Sequence, residues 1–269
     1  MVNGQILVMF GGLPVKTMST LCVAARIALL STAALSTAAS AATVDNASLA
    51  DPPGVYFGAG NANSNFTIDT EGNVEVGLSA ITRFVGPLTP VGNSYFAPTG
   101  ATALPHTGSV WGFDFSVNLN AGNQETSLNL SQITTVLTLQ DLGTGTTGSF
   151  DILTIPDNSL YGASGKCFPS ILCGNLSGYY AAQNSETLSF ASVAGALNDP
   201  LYDMNADDTY IFTLEVFSNS TDVRQLLASD QIQVVVGKGV AVPEPVTLSL
   251  FGAGLAGAFA LRRRKRKAG

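Results

Sequence analysis

The stretch Val110–Asn120 reads VWGFDFSVNLN, with a large apolar residue at every second position. A period of two is the side-chain period of a β-strand, so we predict that one face of this segment is buried and the other is polar. Asp114 belongs to the polar face, where we expect it to be exposed to solvent. The predicted buried face carries Trp111, Phe113, Phe115, Val117 and Leu119.

Other segments show the same strand pattern, and most are short and separated by glycine-rich turns, such as those at 70–73 and 143–145. Such spacing is typical of an all-β fold. It predicts an antiparallel β-sandwich or jelly-roll-like domain over residues 42–236. The further predicted strands are Val55–Gly60, Asn65–Asp69, Val74–Phe84, Gln132–Leu142, Gly148–Ile155, Asp208–Phe217 and Ala228–Gly237.

Helix is predicted only in short pieces. Thr187–Leu197 contains enough Ala and Leu for a short helix, although a strand fits it almost as well, and Asp222–Ala228 suggests a single turn. Phe84–His106 is rich in proline and glycine, which predicts a long irregular connection, and Tyr161–Tyr180 predicts a second one. Such loops often carry the binding surfaces of all-β proteins.

The N-terminus has the pattern of a secretory signal peptide. Two positive charges precede the apolar stretch Ile27–Ala39, and a small-residue cleavage site follows it. We therefore predict a signal peptide over residues 1–41, with cleavage after Ala41 or, alternatively, after Ala42. Met18 is an alternative start, because the residues before it are unusual leader material.

The C-terminus combines Pro243-Glu244-Pro245, the uncharged apolar run Val246–Leu261 and a terminal basic cluster. The prolines favour an extended, solvated segment. The apolar run suits a bilayer, although sixteen residues at about 1.5 Å each are short for the ~30 Å hydrocarbon core. The cations resist translocation. We predict a single transmembrane helix with the preceding chain outside the cytoplasm, reached through a linker at 237–242. The basic cluster is Arg262, Arg263, Arg264, Lys265, Arg266 and Lys267.

Pro243, Glu244 and Pro245, the Gly- and Ala-rich run and the basic cluster together resemble the PEP-CTERM sorting tail of Gram-negative bacteria, over residues 243–269. The resemblance implies recognition by an exosortase, a membrane-embedded cysteine transpeptidase-like enzyme that cuts near the Pro-Glu-Pro. These three residues would then be a processing site and not a catalytic one. An ordinary membrane anchor with a proline-rich stalk is the alternative.

The same resemblance implies a destination. Proteins with such tails are typically exported and associated with exopolysaccharide or biofilm matrix. The chain would be anchored in the inner membrane with its main domain outside the cytoplasm, and would reach the cell surface or extracellular matrix after processing.

The region between the terminal signals is strongly acidic. Between Ala42 and Val242, four Lys and Arg residues stand against eighteen Asp and Glu residues. Phosphate binding requires charge of the opposite sign, so the composition excludes nucleic acid as a partner. An acidic surface rich in Asn, Ser, Thr and Gly suits a soluble exported domain.

Two cysteines remain once the signal peptide is removed, Cys167 and Cys173. An even pair around a five-residue loop, in a chain bound for an oxidising compartment, predicts one disulfide. A redox pair and half of a metal site are the rival interpretations.

Little in the sequence predicts catalysis. His106 is the single histidine, and no nucleophile or metal motif surrounds it. The carboxylates are dispersed, and no pair stands out as the acid and base of a glycosidase. We therefore expect no catalytic residues and a non-catalytic surface or matrix protein, with a secreted polysaccharide-active, glycoside hydrolase-like enzyme as the alternative.

Asp203, Asn205 and Asp207 place oxygen side chains at alternating positions, as calcium loops do. An acidic hairpin turn explains the same residues, and no other cofactor is expected. A calcium-dependent carbohydrate-binding module is therefore a further alternative.

Several aromatic residues could form a surface that binds sugar. Tyr179 and Tyr180 are the best candidates, whereas Trp111 is more suited to the core. The other aromatic candidates are Tyr56, Tyr95 and Tyr161.

Overall fold

The computed structural model of the chain describes residues 43–49, 64–122, 128–190, 193–195, 202–219 and 224–239. The predicted signal peptide and the predicted strand Val55–Gly60 lie outside these residues, as do the Pro-Glu-Pro motif, the apolar run and the basic cluster. Within the described ranges, every helical segment is too short or too polar to serve as a membrane span.

The described residues form thirteen strands and several short 3₁₀ turns. The turns are Leu130–Gln132, Ile152–Thr154, Ser170–Leu172 and Leu176–Gly178. The strands are β1 Val44–Ala47, β2 Phe66–Glu71, β3 Val74–Thr82, β4 Gly86–Pro87, β5 Ser94–Ala97, β6 Trp111–Asn118, β7 Ile133–Asp141, β8 Thr147–Phe150, β9 Ser159–Gly162, β10 Gly165–Cys167, β11 Tyr179–Glu186, β12 Asp208–Ser218 and β13 Leu226–Val236.

The strands assemble into two sheets. Sheet 1 has the order β1-β2-β3-β6-β11-β9-β10, with β4 paired to β3, and sheet 2 has the order β5-β13-β12-β7-β8. Among the described strands, β5 and β13 pair in parallel and the other pairs are antiparallel. The prediction of an all-β fold is confirmed, whereas a jelly-roll connectivity stays a prediction.

The two sheets pack face to face through the alternating residues of β6 and β12. The Phe113 ring lies 4.7 Å from that of Phe212, and the Trp111 ring lies 5.5 Å from that of Tyr210. All five apolar residues of the predicted face of Val110–Asn120 are buried. Each large apolar side chain removed from water stabilises the fold by about 1.5–3 kcal/mol, so this face of β6 is a main source of stability.

The prediction that Asp114 is exposed is wrong, because the side chain is completely buried. β6 lies between β3 and β11. Ser79, opposite Asp114 on β3, is buried, and so is Gln183 of β11, while Ser185, opposite Asp114 on β11, is half-buried. The Gln183 amide donates to the Ser116 hydroxyl at 3.1 Å. The polar face of sheet 1 is therefore part of the interior.

Two element predictions are corrected at their ends. The predicted strand Gly148–Ile155 stops at Phe150, because the Asp151 side chain accepts a hydrogen bond from the Leu153 N–H at 3.0 Å and caps a 3₁₀ turn. Leu226–Ala228 begin β13 and do not form the predicted helical turn, because they continue the long pairing with β12.

The two predicted irregular connections are more regular than expected. Phe84–His106 contains β4 and β5, and Tyr161–Tyr180 contains β10. β5 forms through pairing with β13, more than a hundred residues later, and local composition carries no signal of such a partner. Residues 193–195 are helical, in agreement with the short helix predicted there; much of the rest of that segment is outside the described residues.

Candidate functional site

Three loops at one end of sheet 1 bring an arginine and three aromatic side chains together. Arg83 and Phe84 follow β3, His106 lies in the loop before β6, and Phe190 follows β11. The end of β3, the start of β6 and the end of β11 are adjacent because these strands pair antiparallel. We call this group of four residues the aromatic platform.

The Arg83 guanidinium is the centre of the platform. Its Nη1 donates to the carbonyl oxygens of Thr107 and Ser109, both at 3.0 Å. Its Cζ lies 5.1 Å from the centre of the Phe84 ring and 5.0 Å from that of the Phe190 ring, within the range of a cation–π interaction. Among the described residues, Arg83 forms no ion pair with a carboxylate. Partial burial lowers the pKa of Arg83, while Tyr202 acts in the opposite direction.

Phe84 presents its ring to solvent from a strained backbone. The side chain is 64% exposed, and its φ of 64° lies in the left-handed region, although the residue has a side chain. This conformation costs a non-glycine residue on the order of 1–3 kcal/mol, and such strain is concentrated at functional sites. The ring stacks on that of His106, with centroids 4.0 Å apart and planes 22° apart. His106, for which the sequence indicated no role, therefore supports an exposed aromatic surface.

The residues of the aromatic platform are far apart in the sequence. Its members lie in three loops separated by twenty residues or more, with Arg83 next to Phe84 as the closest pair. In the sequence, Arg83 stands out only as one of four Lys and Arg residues between the signal peptide and the sorting tail. That observation alone does not predict its aromatic neighbours.

The predicted disulfide between Cys167 and Cys173 is confirmed, with an S–S distance of 2.07 Å. The loop that it closes displays three apolar side chains to solvent, namely Phe168, Ile171 and Leu172. The Tyr179 hydroxyl donates to the Cys173 carbonyl at 3.2 Å and ties this loop to the start of β11.

The residues proposed for calcium form a local turn. The Asp203 carboxylate accepts from the Asn205 main-chain N–H at 2.9 Å and from its side-chain amide at 3.3 Å. In the described part of the chain, no three side chains of His, Cys, Asp or Glu lie close enough together to share a metal ion. Calcium binding through Asp203, Asn205 and Asp207 stays a prediction.

The predicted sugar-binding aromatics lie in different environments. Tyr95 is fully buried and its hydroxyl donates to the Asn65 carbonyl at 2.8 Å, so its assignment to an exposed platform is wrong. Trp111 lies in the core, as expected. Tyr179 and Tyr180 are half-buried, and Tyr180 meets Tyr161 edge-on at 5.7 Å. Tyr56 is outside the described residues.

Among the described residues, four buried carboxyl groups have raised pKa values. Burial raises the pKa of Asp208, and the neighbouring Asp141 adds to the effect. Burial raises the pKa of Glu186 to about 8, and the nearby Asp157 adds to the effect. Burial raises the pKa of Asp114 to about 7 against the opposing effect of the Ser185 and Ser79 hydroxyls. Burial also raises the pKa of Asp230 to about 8. All four are at most 7% exposed, so in this structure none reaches the surface where a polymer would bind.

Comparison with known proteins gives a match at the C-terminus. Residues 241–265 match a family model described as the PEP-CTERM protein-sorting motif. The matched region contains Pro243-Glu244-Pro245, the apolar run Val246–Leu261 and the first cations of the basic cluster. No curated protein matches the chain.

Proposed function

We propose that this PEP-CTERM sorting-domain protein is a non-catalytic component of the cell surface or extracellular matrix, associated with exopolysaccharide or biofilm. The motif marks an exported chain that an exosortase, a membrane protein, processes at its C-terminal tail. This match is the observation that carries the proposal.

Features of the described domain support it. A disulfide between Cys167 and Cys173 suits an oxidising, extracytoplasmic compartment. The all-β fold and the excess of Asp and Glu suit a soluble domain outside the cell. In the proposed route, residues 1–41 direct export and Val246–Leu261 tether the chain in the inner membrane until processing.

A non-catalytic role is favoured by the position of the unusual carboxyl groups. An enzyme that cleaves polysaccharide needs an acid and a second carboxylate beside the substrate. The carboxyl groups with raised pKa, Asp114, Glu186, Asp208 and Asp230, are buried instead, and so is Asp141 beside Asp208. The aromatic platform is an exposed feature of the described residues, and it suits binding.

The sorting step is tested by replacing Pro243, Glu244 and Pro245 with alanine. We expect the variant to be exported and to form its disulfide, but to stay in the inner membrane with its basic end attached. Cell fractionation, thiol alkylation and mass spectrometry of the C-terminus measure these outcomes. The matched control, Lys238→Ala/Val240→Ala, changes the linker just before the matched residues 241–265 and should be processed normally. Normal release of the triple variant would overturn the proposal.

Association with the matrix is tested separately. The processed protein should sediment with native extracellular matrix and should be released when the polysaccharide is removed enzymatically. Recovery of the processed protein entirely in the free medium, at every matrix concentration, would contradict this part of the proposal.

A further inference from the structure

The Arg83 guanidinium has N–H groups that form no hydrogen bond with the described residues. A guanidinium has five N–H groups, and the bonds to Thr107 and Ser109 both come from Nη1. These two bonds fix the plane of the group, so the remaining N–H groups point in set directions. Eighteen Asp and Glu residues occur between Ala42 and Val242, yet none described here pairs with Arg83. This fixed fork, which pairs with no carboxylate of the described residues, is suited to a carboxylate that comes from outside the chain.

The Phe84 ring beside this guanidinium is exposed to solvent on a strained backbone, which does not favour folding. A large apolar side chain normally gains stability by burial, and a left-handed backbone normally selects glycine. Phe84 departs from both preferences, since it is 64% exposed at a φ of 64°. The stacked His106 ring and the Arg83 guanidinium keep the phenyl ring in one orientation. The result is a rigid apolar surface next to a cation.

The ligand must therefore combine an apolar surface with a negative charge. A small inorganic anion would use Arg83 but gain nothing from Phe84, and a neutral sugar would use the ring without the guanidinium. A uronic acid unit has a C–H face that stacks on an aromatic ring and a single carboxylate at its edge.

We propose that the aromatic platform of Arg83, Phe84, His106 and Phe190 is a binding site for an acidic, uronate-containing polysaccharide. Arg83 binds the carboxylate, Phe84 stacks on the sugar ring, and His106 and Phe190 hold these two groups in place. The inference rests on the proposed function, because it names the kind of matrix polymer that the exported domain would meet.

The test uses the full chain, purified in detergent micelles, and isothermal titration with hexagalacturonate. Its fully methyl-esterified form is the matched probe, since it has the same rings without the charge. We expect the acid to bind on the order of tenfold or more tightly than the ester, because the ester cannot form the charge-assisted contact with Arg83. Arg83→Gln should remove that preference. Arg224→Gln is the matched control, since Arg224 also stacks on a phenyl ring, that of Phe217 at 3.9 Å, and should leave binding unchanged.

Phe84→Gly separates binding from folding. Glycine adopts a φ of 64° without strain, so the variant should keep the wild-type melting temperature within a few degrees while losing at least about tenfold in affinity. Phe168→Ala removes another exposed phenyl ring, which is 60% exposed, and should bind normally. A melting temperature that collapses in Phe84→Gly would show that the ring is structural and overturn the assignment.

Other outcomes would also overturn it. Absence of hexagalacturonate binding by the wild-type chain, equal binding of acid and ester, or unchanged binding in Arg83→Gln would each do so. These results are independent of the sorting experiment. If the chain does not bind hexagalacturonate but the Pro243-Glu244-Pro245 variant stays in the inner membrane, only the proposed binding site is wrong. If that variant is released normally, the proposed sorting route is wrong.

Discussion

The Asp230 carboxylate of β13 accepts a hydrogen bond from the Leu78 main-chain N–H of β3 at 2.9 Å, although the two residues are 152 positions apart in the chain. Asp69 of β2 makes the reverse contact, accepting from the Ser229 N–H of β13 at 3.0 Å. Buried carboxyl groups thus bond strand β13 of sheet 2 to sheet 1. Because the Asp230 carboxyl is buried, it also couples folding to protonation.

The stability of the domain should fall as the pH rises. Burial, with smaller contributions from Asp69 and Asp45, raises the pKa of Asp230 to about 8, and the pKa values of Glu186 and Asp114 are raised to about 8 and about 7. An unfolded carboxyl group titrates near pH ~4. Between these values the native state binds more protons than the unfolded state, so stability is fully present below pH ~4 and is lost as the pH rises through about 8. Melting temperatures measured at pH 5 should exceed those at pH 9.

Asp230→Asn tests the source of this dependence. An amide does not titrate, and its oxygen can still accept from the Leu78 N–H, so the difference between pH 5 and pH 9 should shrink. Asp203→Asn changes an exposed carboxylate and should leave the difference as in the wild type. An identical pH profile for Asp230→Asn and the wild type would rule out Asp230 as a contributor.

Truncation of Phe113 should be among the most destabilising changes in the domain. Its ring packs against that of Phe212 between the sheets and is fully buried, so Phe113→Ala should lower the free energy of unfolding by about 3–5 kcal/mol. Phe96 is 56% exposed, and Phe96→Ala should change it by about 0.5 kcal/mol or less. Urea unfolding monitored by circular dichroism measures both. Equal effects would contradict the packing described for β6 and β12.

Two glycines near the disulfide loop should differ sharply in their tolerance of a methyl group. A Cβ on Gly162 would lie 1.9 Å from the Gly178 carbonyl oxygen, whereas a Cβ on Gly178 would meet nothing within 4 Å. Gly162→Ala must therefore push β9 from the 3₁₀ turn Leu176–Gly178 that precedes β11 and should cost more than about 1 kcal/mol. Gly178→Ala should be neutral or slightly stabilising. Chemical denaturation of the two variants side by side gives the comparison, and a tolerated Gly162→Ala would argue against the close approach of these strands.

Loss of the disulfide should weaken the domain without unfolding it. The bond joins positions six apart, Cys167 and Cys173, and a loop this short contributes about 2–3 kcal/mol at most. Cys167→Ala/Cys173→Ala should shift the urea midpoint downward and keep the β-rich circular dichroism spectrum. The wild type treated with reductant should have the same midpoint as the variant. A reduced wild type that unfolds completely would show a larger structural role.

The strands with strict alternation were predictable from the sequence, and those that depend on a distant partner were not. β6, β7 and β12 follow the period-two pattern closely, because the face of each strand that packs between the two sheets takes apolar residues at every second position. β5 and β10 are short and lie in segments rich in turn-forming residues. Their hydrogen bonds go to β13 and β9, and a short segment is extended by such a neighbour whatever its own preference.

The functional residues, too, were predictable from the sequence only where they are close together in the chain. The sorting motif at 241–265 and the cysteine pair were visible in consecutive residues. The sequence by itself determined the β class of the domain, its acidity and the destination signal, because each is written in local order or in composition. Only the tertiary structure decided that Asp114 is buried and that Arg83 and Phe84 meet His106 and Phe190. Those relationships depend on which strands become neighbours, and strand pairing is set by contacts between residues far apart in the chain.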